Sequence, residues 1–279
     1  MSAFIRPSRP GDEPQLRAIW KTVFGDGDAY IGGWFGRMYA PGDALVCEAD
    51  GRLVSSAYVA ELGGLSAPGA ACVPVCVVYA LGTLPEYRGR GAGADVTRAA
   101  LERCLARGAG VICPAEPSLF GYYAARCGYR DYFGVSEFSA VVPSGAPEGR
   151  SARVSAGGYA ALRERLLAGR THIAFSERAL AYQEFLCGKR GGLFRLELAG
   201  AECAAAVELS EDGTAALVKE LLAPDALLRP AACLAARAAG ASRAEVRTPV
   251  RPGVPSRPFA MLAGPAPEAD GAWFGFAFD

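Results

Sequence analysis

The order of apolar and polar positions divides the first half of the chain into alternating helices and strands. Apolar residues recur at helical spacing in residues 13–24 and 30–39. Two alternating runs in residues 44–62 are separated by Asp50 and Gly51, a pair that favours a hairpin turn. Residues 73–83 form a nearly continuous apolar run of strand length. The pattern predicts a mixed α+β fold.

A glycine-rich corner follows that last strand. Residues 85–93 read PEYRGRGAG, and residues 94–107 predict a helix with one apolar face. Gly108 is placed to end this helix, and a strand, GVICP, and an aromatic segment, LFGYYAARCGYRDYF, come next. The corner is thus predicted between a buried strand and the N-terminus of a helix.

The second half of the chain repeats part of this order. LFRLELAG, ECAAAVELSEDGTAALVKEL, residues 227–239 and AEVRTP predict strand, hairpin, helix and strand, but without a glycine corner. The polar segment PSGAPEGRSAR separates the halves, so we predict two domains, residues 1–146 and 147–279. A duplicated fold and a chance similarity of two mixed α/β units explain this order of elements equally well.

Charge and hydropathy exclude several kinds of partner. The 279 residues include 29 basic and 29 acidic side chains, so no overall field attracts nucleic acid or an anionic membrane. The apolar runs are far shorter than the roughly 20 residues that span a bilayer, and the N-terminus lacks the apolar core of a signal peptide. We expect a cytoplasmic protein with no nucleic-acid or membrane partner.

Metal and disulfide chemistry are not indicated by the sequence. The nine cysteines form no CxxC pair and most have apolar neighbours, which is typical of small buried thiols in a reducing compartment. A chain with one histidine, His172, has no His-rich metal centre, and we assign this residue no function. We therefore predict no metal site.

The glycine corner is suited to bind an anion. The first amides of a helix have no partner inside it, and glycines let a diphosphate approach them closely. Two arginines, Arg88 and Arg90, add positive charge. The spacing is neither GxGxxG nor GxxxxGK[ST], which argues against a dinucleotide fold and a nucleotide triphosphatase. Glycines that serve only a tight turn are the alternative.

Two motifs in order, the RxxGxG of Arg88, Gly91 and Gly93 and then YYAARCGY, resemble the GNAT (GCN5-related) family of acyl-CoA N-acyltransferases over residues 3–142. The resemblance implies the GNAT fold, acetyl-CoA as cofactor and acetyl transfer to an amine. It implies that the pantetheine arm is lined by Leu81, Gly82 and Thr83. It implies that the diphosphate is held by Arg88, Gly89, Arg90, Gly91, Ala92, Gly93 and Ala94.

The layout of the whole chain resembles the enhanced intracellular survival subgroup, in which a degenerate GNAT-like domain follows the catalytic one. This sequence is shorter, and we expect no sterol-carrier-like domain in it, so the acceptor and the oligomeric state stay open, a homo-oligomer included. Residues 75–83 carry no carboxylate to serve as a base, and Glu116 is a solvated loop charge. The resemblance implies that the terminal residue, Asp279, supplies the base, with a water chain as the alternative.

A tyrosine is the expected proton donor, because its ordinary pKa near 10 keeps the phenol protonated at neutral pH. The family's tyrosine lies four residues before the closing glycine, whereas four residues before Gly128 lies Ala124. Tyr123 is therefore the first candidate and Tyr122 the second. At least one of these rings is also expected to pack the helix onto the sheet.

The segment FGDGDAYIGGWFGRMY lies where GNAT enzymes have helices that face the substrate. Its aromatic and acidic residues form either a pocket for a cationic amine or a packed core with a polar loop. The expected function is an acetyl-CoA-dependent N-acetyltransferase for the amine of a small molecule. A non-catalytic acyl-CoA sensor or scaffold is the alternative, and a dinucleotide-dependent dehydrogenase is disfavoured by the glycine spacing.

Overall fold

The computed structural model describes residues 3–145, 148–269 and 271–278. The helices in these ranges are α1 (Glu13–Phe24), α2 (Asp28–Arg37), α3 (Ala92–Leu105), α4 (Pro117–Cys127), α5 (Ala156–Leu166), α6 (Glu177–Cys187) and α7 (Leu228–Ala238). The strands are β1 (Ala3–Pro7), β2 (Ala44–Ala49), β3 (Arg52–Ser66), β4 (Val73–Thr83), β5 (Ala109–Ile112), β6 (Arg130–Val141), β7 (Arg150–Arg153), β8 (His172–Phe175), β9 (Gly192–Leu198), β10 (Ala201–Leu209), β11 (Ala215–Leu222), β12 (Arg243–Thr248) and β13 (Ser256–Ala263). The mixed α+β class predicted from the sequence is confirmed.

The chain folds into two compact units. The first comprises Met1–Gly64, Val73–Asp131 and Ala260–Ala266, and the second comprises Leu65–Cys72, Tyr132–Phe259 and Pro267–Asp279. This division differs from the predicted boundary, because residues 132–145 lie in the second unit. The cause is that β6 pairs with β12 in antiparallel register, from Ser136 opposite Thr248 to Val141 opposite Arg243. Two domains, residues 1–146 and 147–279, remain a prediction.

The sheet of the first unit opens beside the glycine corner. Its strands run in the order β1, β2, β3, β4, β5, and β4 is parallel to β5. The paired register of β4 and β5 ends where Val77 lies opposite Val111. Further along β4, Ala80 has a positive φ of 45°, which is strained for a residue with a side chain. The second half of β4, residues 78–83, therefore runs beyond its pairing with β5.

Local sequence signals account for the elements around this opening. Asp50 and Gly51 both have positive φ, 51° and 78°, as a two-residue hairpin turn requires, so the predicted hairpin of β2 and β3 is confirmed. On α3, the buried residues include Val96, Ala100 and Cys104, which are part of the predicted apolar stripe. This stripe packs into the core of the first unit and fixes the direction of the helix.

The second unit contains the predicted strand, hairpin, helix and strand. Its sheet runs in the order β6, β12, β11, β10, β9, β7, and β11 is parallel to β12. Helix α7 buries most of its residues in the core of this unit. Helices α5 and α6 were not predicted, although Ser155 and Ser176 precede them and accept hydrogen bonds from the amides of Gly158 and Ala179. These N-caps are a sequence signal that could have found both helices.

The C-terminal segment is docked in the second unit, as its apolar sequence predicts. The backbone N–H of Trp273 donates to the carbonyl of Thr171 at 2.9 Å, and its carbonyl accepts from Ile173 at 3.0 Å. Phe274, Phe276 and Phe278 are at most 2% exposed. Asp279, the predicted base, lies outside the described residues.

The cysteines are free thiols, and seven of the nine are buried, as expected for small apolar side chains. Within the described ranges no three His, Cys, Asp or Glu side chains are grouped as metal ligands. None of the helices in those ranges is long and apolar enough to cross a membrane.

Candidate active site

A cleft of about 680 Å³ lies in the first unit where β4 ends and α3 and α4 begin. The corner between β4 and α3 forms one wall, and α4 forms another. The lining residues are Val23, Leu81, Thr83, Tyr87, Arg88, Gly89, Gly91, Ala92, Gly93, Ala94, Asp95, Arg98, Leu119, Tyr122, Tyr123 and Arg126. The volume is within the range of small-molecule sites.

Three positions of the corner are occupied by glycine for different structural reasons. Gly89 and Gly91 have φ of 74° and 89°, in the left-handed region that side chains disfavour. Gly93 has ordinary helical geometry, but a Cβ added there would lie 3.0 Å from Oγ1 of Thr83. Two glycines therefore turn the chain, and the third lets the end of β4 approach the first turn of α3.

The N-terminus of α3 faces the cleft without a side-chain cap. Gly91 is the N-cap residue, and within the described ranges no side chain caps the first turn. The intrahelical hydrogen bonds begin with the amide of Asp95, which donates to the carbonyl of Gly91 at 3.0 Å. The amides of Ala92, Gly93 and Ala94 precede that first bond, and the helix dipole adds partial positive charge there. This turn has the donors that an anion requires.

The charges around the turn are mostly positive. Arg88, Arg98 and Arg126 line the cleft, and Nε of Arg88 donates to the carbonyl of Thr83 at 3.1 Å. Asp95 lies in the first turn of α3, where its negative charge would compete with a bound anion for the positive end of the helix. The carboxylate of Asp95 is, however, paired with Arg98. Sequence reasoning missed Arg98 and Arg126, although both follow from the helical spacing of α3 and α4.

The structure brings together most of the residues predicted for the cofactor. Leu81, Thr83, Arg88, Gly89 and Gly91 to Ala94 line one cleft. Gly82 instead packs against Val23 and Phe24 of α1, and its carbonyl accepts from Oγ of Ser55 at 2.9 Å. The guanidinium of Arg90 lies over the ring of Tyr87, 5.6 Å from its centroid, and does not line the cleft.

Both candidate tyrosines line the cleft from α4. Tyr123 is 7% exposed and packs in the core, whereas Tyr122 is 37% exposed. Burial is the main cause that raises the pKa of Tyr123 and, by less, the pKa of Tyr122. Both phenols therefore keep their proton throughout the neutral range. The two rings are 5.3 Å apart, so either hydroxyl belongs to the same wall of the cleft.

The predicted amine pocket is largely a packed core. Trp34 and Phe35 are 1% and 6% exposed, so their rings fill the interior. Oδ2 of Asp26 accepts from Nε1 of Trp20 at 2.8 Å, and Asp28 pairs with Lys21 at 2.8 Å. The two carboxylates thus have partners within the first unit, which corresponds to the alternative of core packing with a polar loop.

Two other polar residues also have ordinary structural positions. Glu116 is exposed at the N-cap of α4. Nε2 of His172 is 3.0 Å from Oε2 of Glu164, and its Nδ1 is 2.7 Å from the carbonyl of Arg170. His172 is buried, and both of its ring nitrogens have partners within the second unit.

Comparison with known families shows what the first unit is similar to. Residues 4–130 match the family model described as an acetyltransferase (GNAT) domain. Over these residues, which make up a little under half of the chain, the protein is similar to that family. The match contains the cleft, its corner and both tyrosines, and the cofactor of GNAT acetyltransferases is acetyl-CoA. A search of curated proteins found no match to the chain.

Solved structures with the GNAT fold resemble the chain over nearly its full length. A GCN5-related N-acetyltransferase from Kribbella flavida is 17% identical, with a TM-score of 0.67 over 94% of this chain and 70% of that one. A probable N-acyltransferase of unknown function from Enterococcus faecalis V583 is 13% identical, with a TM-score of 0.68 over 95% and 72%. Eis1 from Mycobacterium abscessus is 16% identical, with a TM-score of 0.64 over 95% and 74%. These likenesses confirm the GNAT fold.

Proposed function

We propose that this protein is an acetyl-CoA-dependent N-acetyltransferase that acts on an amine of a small molecule in the cytoplasm. The observation that carries the proposal is the uncapped N-terminus of α3, which faces a cleft beside the end of β4 that runs beyond its pairing with β5. A family match over residues 4–130 supports acetyl transfer. The amine acceptor is the part of the proposal that rests on the resemblance alone.

The residues of the corner fit a diphosphate. The free amides of Ala92, Gly93 and Ala94 supply donors, and Arg88 and Arg126 supply positive charge. The absence of a Cβ atom at Gly93 lets Thr83, at the end of β4, lie close to this turn. On β4, Leu81 and Thr83 line the same cleft past the end of the β5 pairing, where strand N–H and C=O groups are available to amides of the pantetheine arm.

Side chains of the protein then provide the proton transfers that the reaction needs. Acetyl-CoA, when bound, supplies an acetyl group as a thioester, and transfer to the amine nitrogen breaks the carbon–sulfur bond and leaves a thiolate. Tyr123 holds the proton for that thiolate, with Tyr122 as the second candidate, since burial keeps both phenols protonated. The amine must reach the site in its neutral form, and the proton that it loses goes to solvent or to a base such as the predicted Asp279.

We also infer that residues 147–279 are a degenerate GNAT-like domain. In the first unit a strand, a short 3-10 turn, a helix and a parallel strand follow one another as β4, Pro85–Tyr87, α3 and β5. In the second unit the same order recurs as β11, Asp225–Leu227, α7 and β12, again with parallel strands. This repeated unit favours duplication over chance similarity. A homo-oligomer stays an open prediction.

The purified full chain allows a direct test in two steps. Acetyl-CoA, but not NAD, should raise the unfolding temperature, because only the former has a site in the first unit. Release of free thiol from acetyl-CoA should then depend on an added amine, tested with polyamines and aminoglycosides. Protection without thiol release for any amine would favour the acyl-CoA sensor, and no protection would contradict the cofactor site itself.

A further inference from the structure

A second cavity, of about 630 Å³, lies within the second unit. It is located beyond the carboxyl ends of the parallel strands β11 and β12, and its lining includes Leu222, Pro224 and Pro249, next to those ends. Crevices at the carboxyl ends of parallel strands are frequent ligand sites in α/β proteins. Neither the family match, which ends at residue 130, nor the proposed reaction uses this cavity.

Two arginines line this cavity, Arg170 after α5 and Arg251 after β12. Arg251 is held in place, since its Nη1 donates to Oδ1 of Asp225 at 2.6 Å and its Nη2 to the carbonyl of Ala223 at 3.0 Å. Arg170 is partly buried, and its one hydrogen bond to the described residues is long, from Nη1 to the carbonyl of Gly271 at 3.4 Å. Most N–H donors of Arg170 therefore stay available to a ligand.

The positive charge of the cavity is only partly balanced by acids. Asp225, next to the lining residue Pro224, pairs with Arg251, and the acidic lining residue Glu202 pairs with Arg165 and Arg195 at 2.8 and 2.9 Å. Burial and then repulsion by Arg251 lower the pKa of Arg170, and the attraction of Asp225 offsets them only in part. A bound anion would offset the repulsion between the two guanidinium groups.

We propose that this cavity is a second binding site, for a small molecule that presents a carboxylate or a phosphate monoester to Arg170 and Arg251. Guanidinium groups bind planar carboxylates and phosphates with two parallel hydrogen bonds. The ligand differs from coenzyme A, because the helix that follows β11 has no glycine corner to cradle a diphosphate. This inference is independent of the proposed acetyltransferase activity.

The test measures the unfolding temperature of the full chain as a function of anion concentration, at constant ionic strength. The probes are inorganic phosphate for the phosphate group, malonate for the carboxylate group, and chloride as the non-specific control. The measurement is made in the Ala94→Asp variant, in which an added carboxylate occupies the anion site of the first unit. We expect a saturable rise of about 3 °C or more with phosphate, malonate or both.

Variants of single arginines assign that rise to the cavity. Arg170→Gln should abolish it, Arg170→Lys should retain part of it, and Arg243→Gln, an exposed arginine at the start of β12, should leave it unchanged. A rise that persists in Arg170→Gln would overturn the proposal. So would a response to phosphate and malonate no larger than the response to chloride, which would indicate that Arg170 only neutralises the carbonyl end of α5.

Discussion

The corner between β4 and α3 in the first unit and the corner between β11 and α7 in the second have the same elements but different surfaces. Between the 3-10 turn at Pro85–Tyr87 and α3, four residues that include Gly89 and Gly91 turn the chain and leave the helix N-terminus open. In the second unit the turn Asp225–Leu227 leads directly into α7. A buried leucine, Leu228, starts this helix, and Pro230 removes one of its first amides.

The strands that precede the two corners also differ: one has a side chain in an open cleft, and the other has a buried side chain at the equivalent position. Four residues before Pro85 lies Leu81, which lines the cleft, and four residues before Pro224 lies Glu220, which is fully buried. Oε1 of Glu220 accepts from Nε of Arg163 and from the hydroxyl of Tyr159, each at 2.9 Å. Its Oε2 accepts from Nε1 of Trp273 at 2.5 Å. The second unit therefore fills with its own side chains the region that the first unit leaves open.

The comparison teaches that the order of elements does not decide whether this corner binds an anion. A few local features do so: glycines with positive φ, an uncapped first turn, and a strand end from which Leu81 and Thr83 line an open cleft. Each feature can be changed separately, and the following predictions do so from the largest expected effect to the smallest.

Removal of the buried charge of Glu220 in the second unit should have the largest effect on stability. Glu220→Gln leaves Arg163, which is 1% exposed, with only the longer contact to Glu164 at 3.6 Å, and we expect a loss of about 3–5 kcal/mol in the free energy of unfolding. Urea unfolding followed by circular dichroism measures it. The double variant Arg163→Met with Glu220→Gln removes both charges and should lose less than the single variant. A single variant as stable as the wild type would show that the pair does not hold this region together.

Addition of a charge to the first corner should remove its anion site. Ala94→Asp places a carboxylate in the first turn of α3, and we expect acetyl-CoA to bind at least about 100-fold more weakly by calorimetry. The unfolding temperature without ligand should not fall, since an acid near a helix N-terminus is stabilising. Ala94→Asn has the same size without the charge and should bind within about tenfold of the wild type. Equal weakening in both variants would contradict a charge-based site.

Substitution of the buried tyrosine should affect turnover and not binding. We expect Tyr123→Phe to lower kcat by about 100-fold with unchanged affinity for acetyl-CoA, because only the proton donor is lost. Tyr122→Phe is the matched control and should lower kcat by less than about tenfold. The reverse order of the two variants, from steady-state thiol release, would assign the proton donor to Tyr122.

The smallest effect concerns an ion pair near the edge of the first unit, in contrast to the enclosed pair of the second. Arg6 pairs with Asp12 at 2.6 Å and lowers the pKa of Asp12 below its ordinary 3.8. The charged form is thus favoured by folding, and its stabilisation is present above pH 4 and lost as the pH falls through the lowered pKa. We expect Asp12→Asn to cost about 1 kcal/mol at pH 7 and less near pH 2. A cost that is the same at both pH values would contradict this.

Local signals made much of the first unit predictable. The hairpin at Asp50 and Gly51, the apolar stripe of α3 and the glycine corner depend on neighbours in sequence, and each was predicted from them. The sequence did not predict which residues on the last part of β4 face the cleft, because this depends on packing. Gly82 contacts α1, while Leu81 and Thr83 line the cleft.

Contacts between distant segments were beyond the sequence pattern. Residues 261–263 of β13 pair with β5, about 150 positions earlier, and no periodicity indicates that partner. The aromatic patch around Trp34 shows the same limit. Its pattern fits either a pocket or a core, and only tertiary packing shows that the rings are buried.

A crystal structure of the chain with coenzyme A tests the central claim most directly. The account predicts phosphate oxygens within hydrogen-bond distance of the backbone nitrogens of Ala92, Gly93 and Ala94, with Arg88 or Arg126 beside them. A diphosphate bound elsewhere, while these three amides donate to solvent or to a protein side chain, would contradict it.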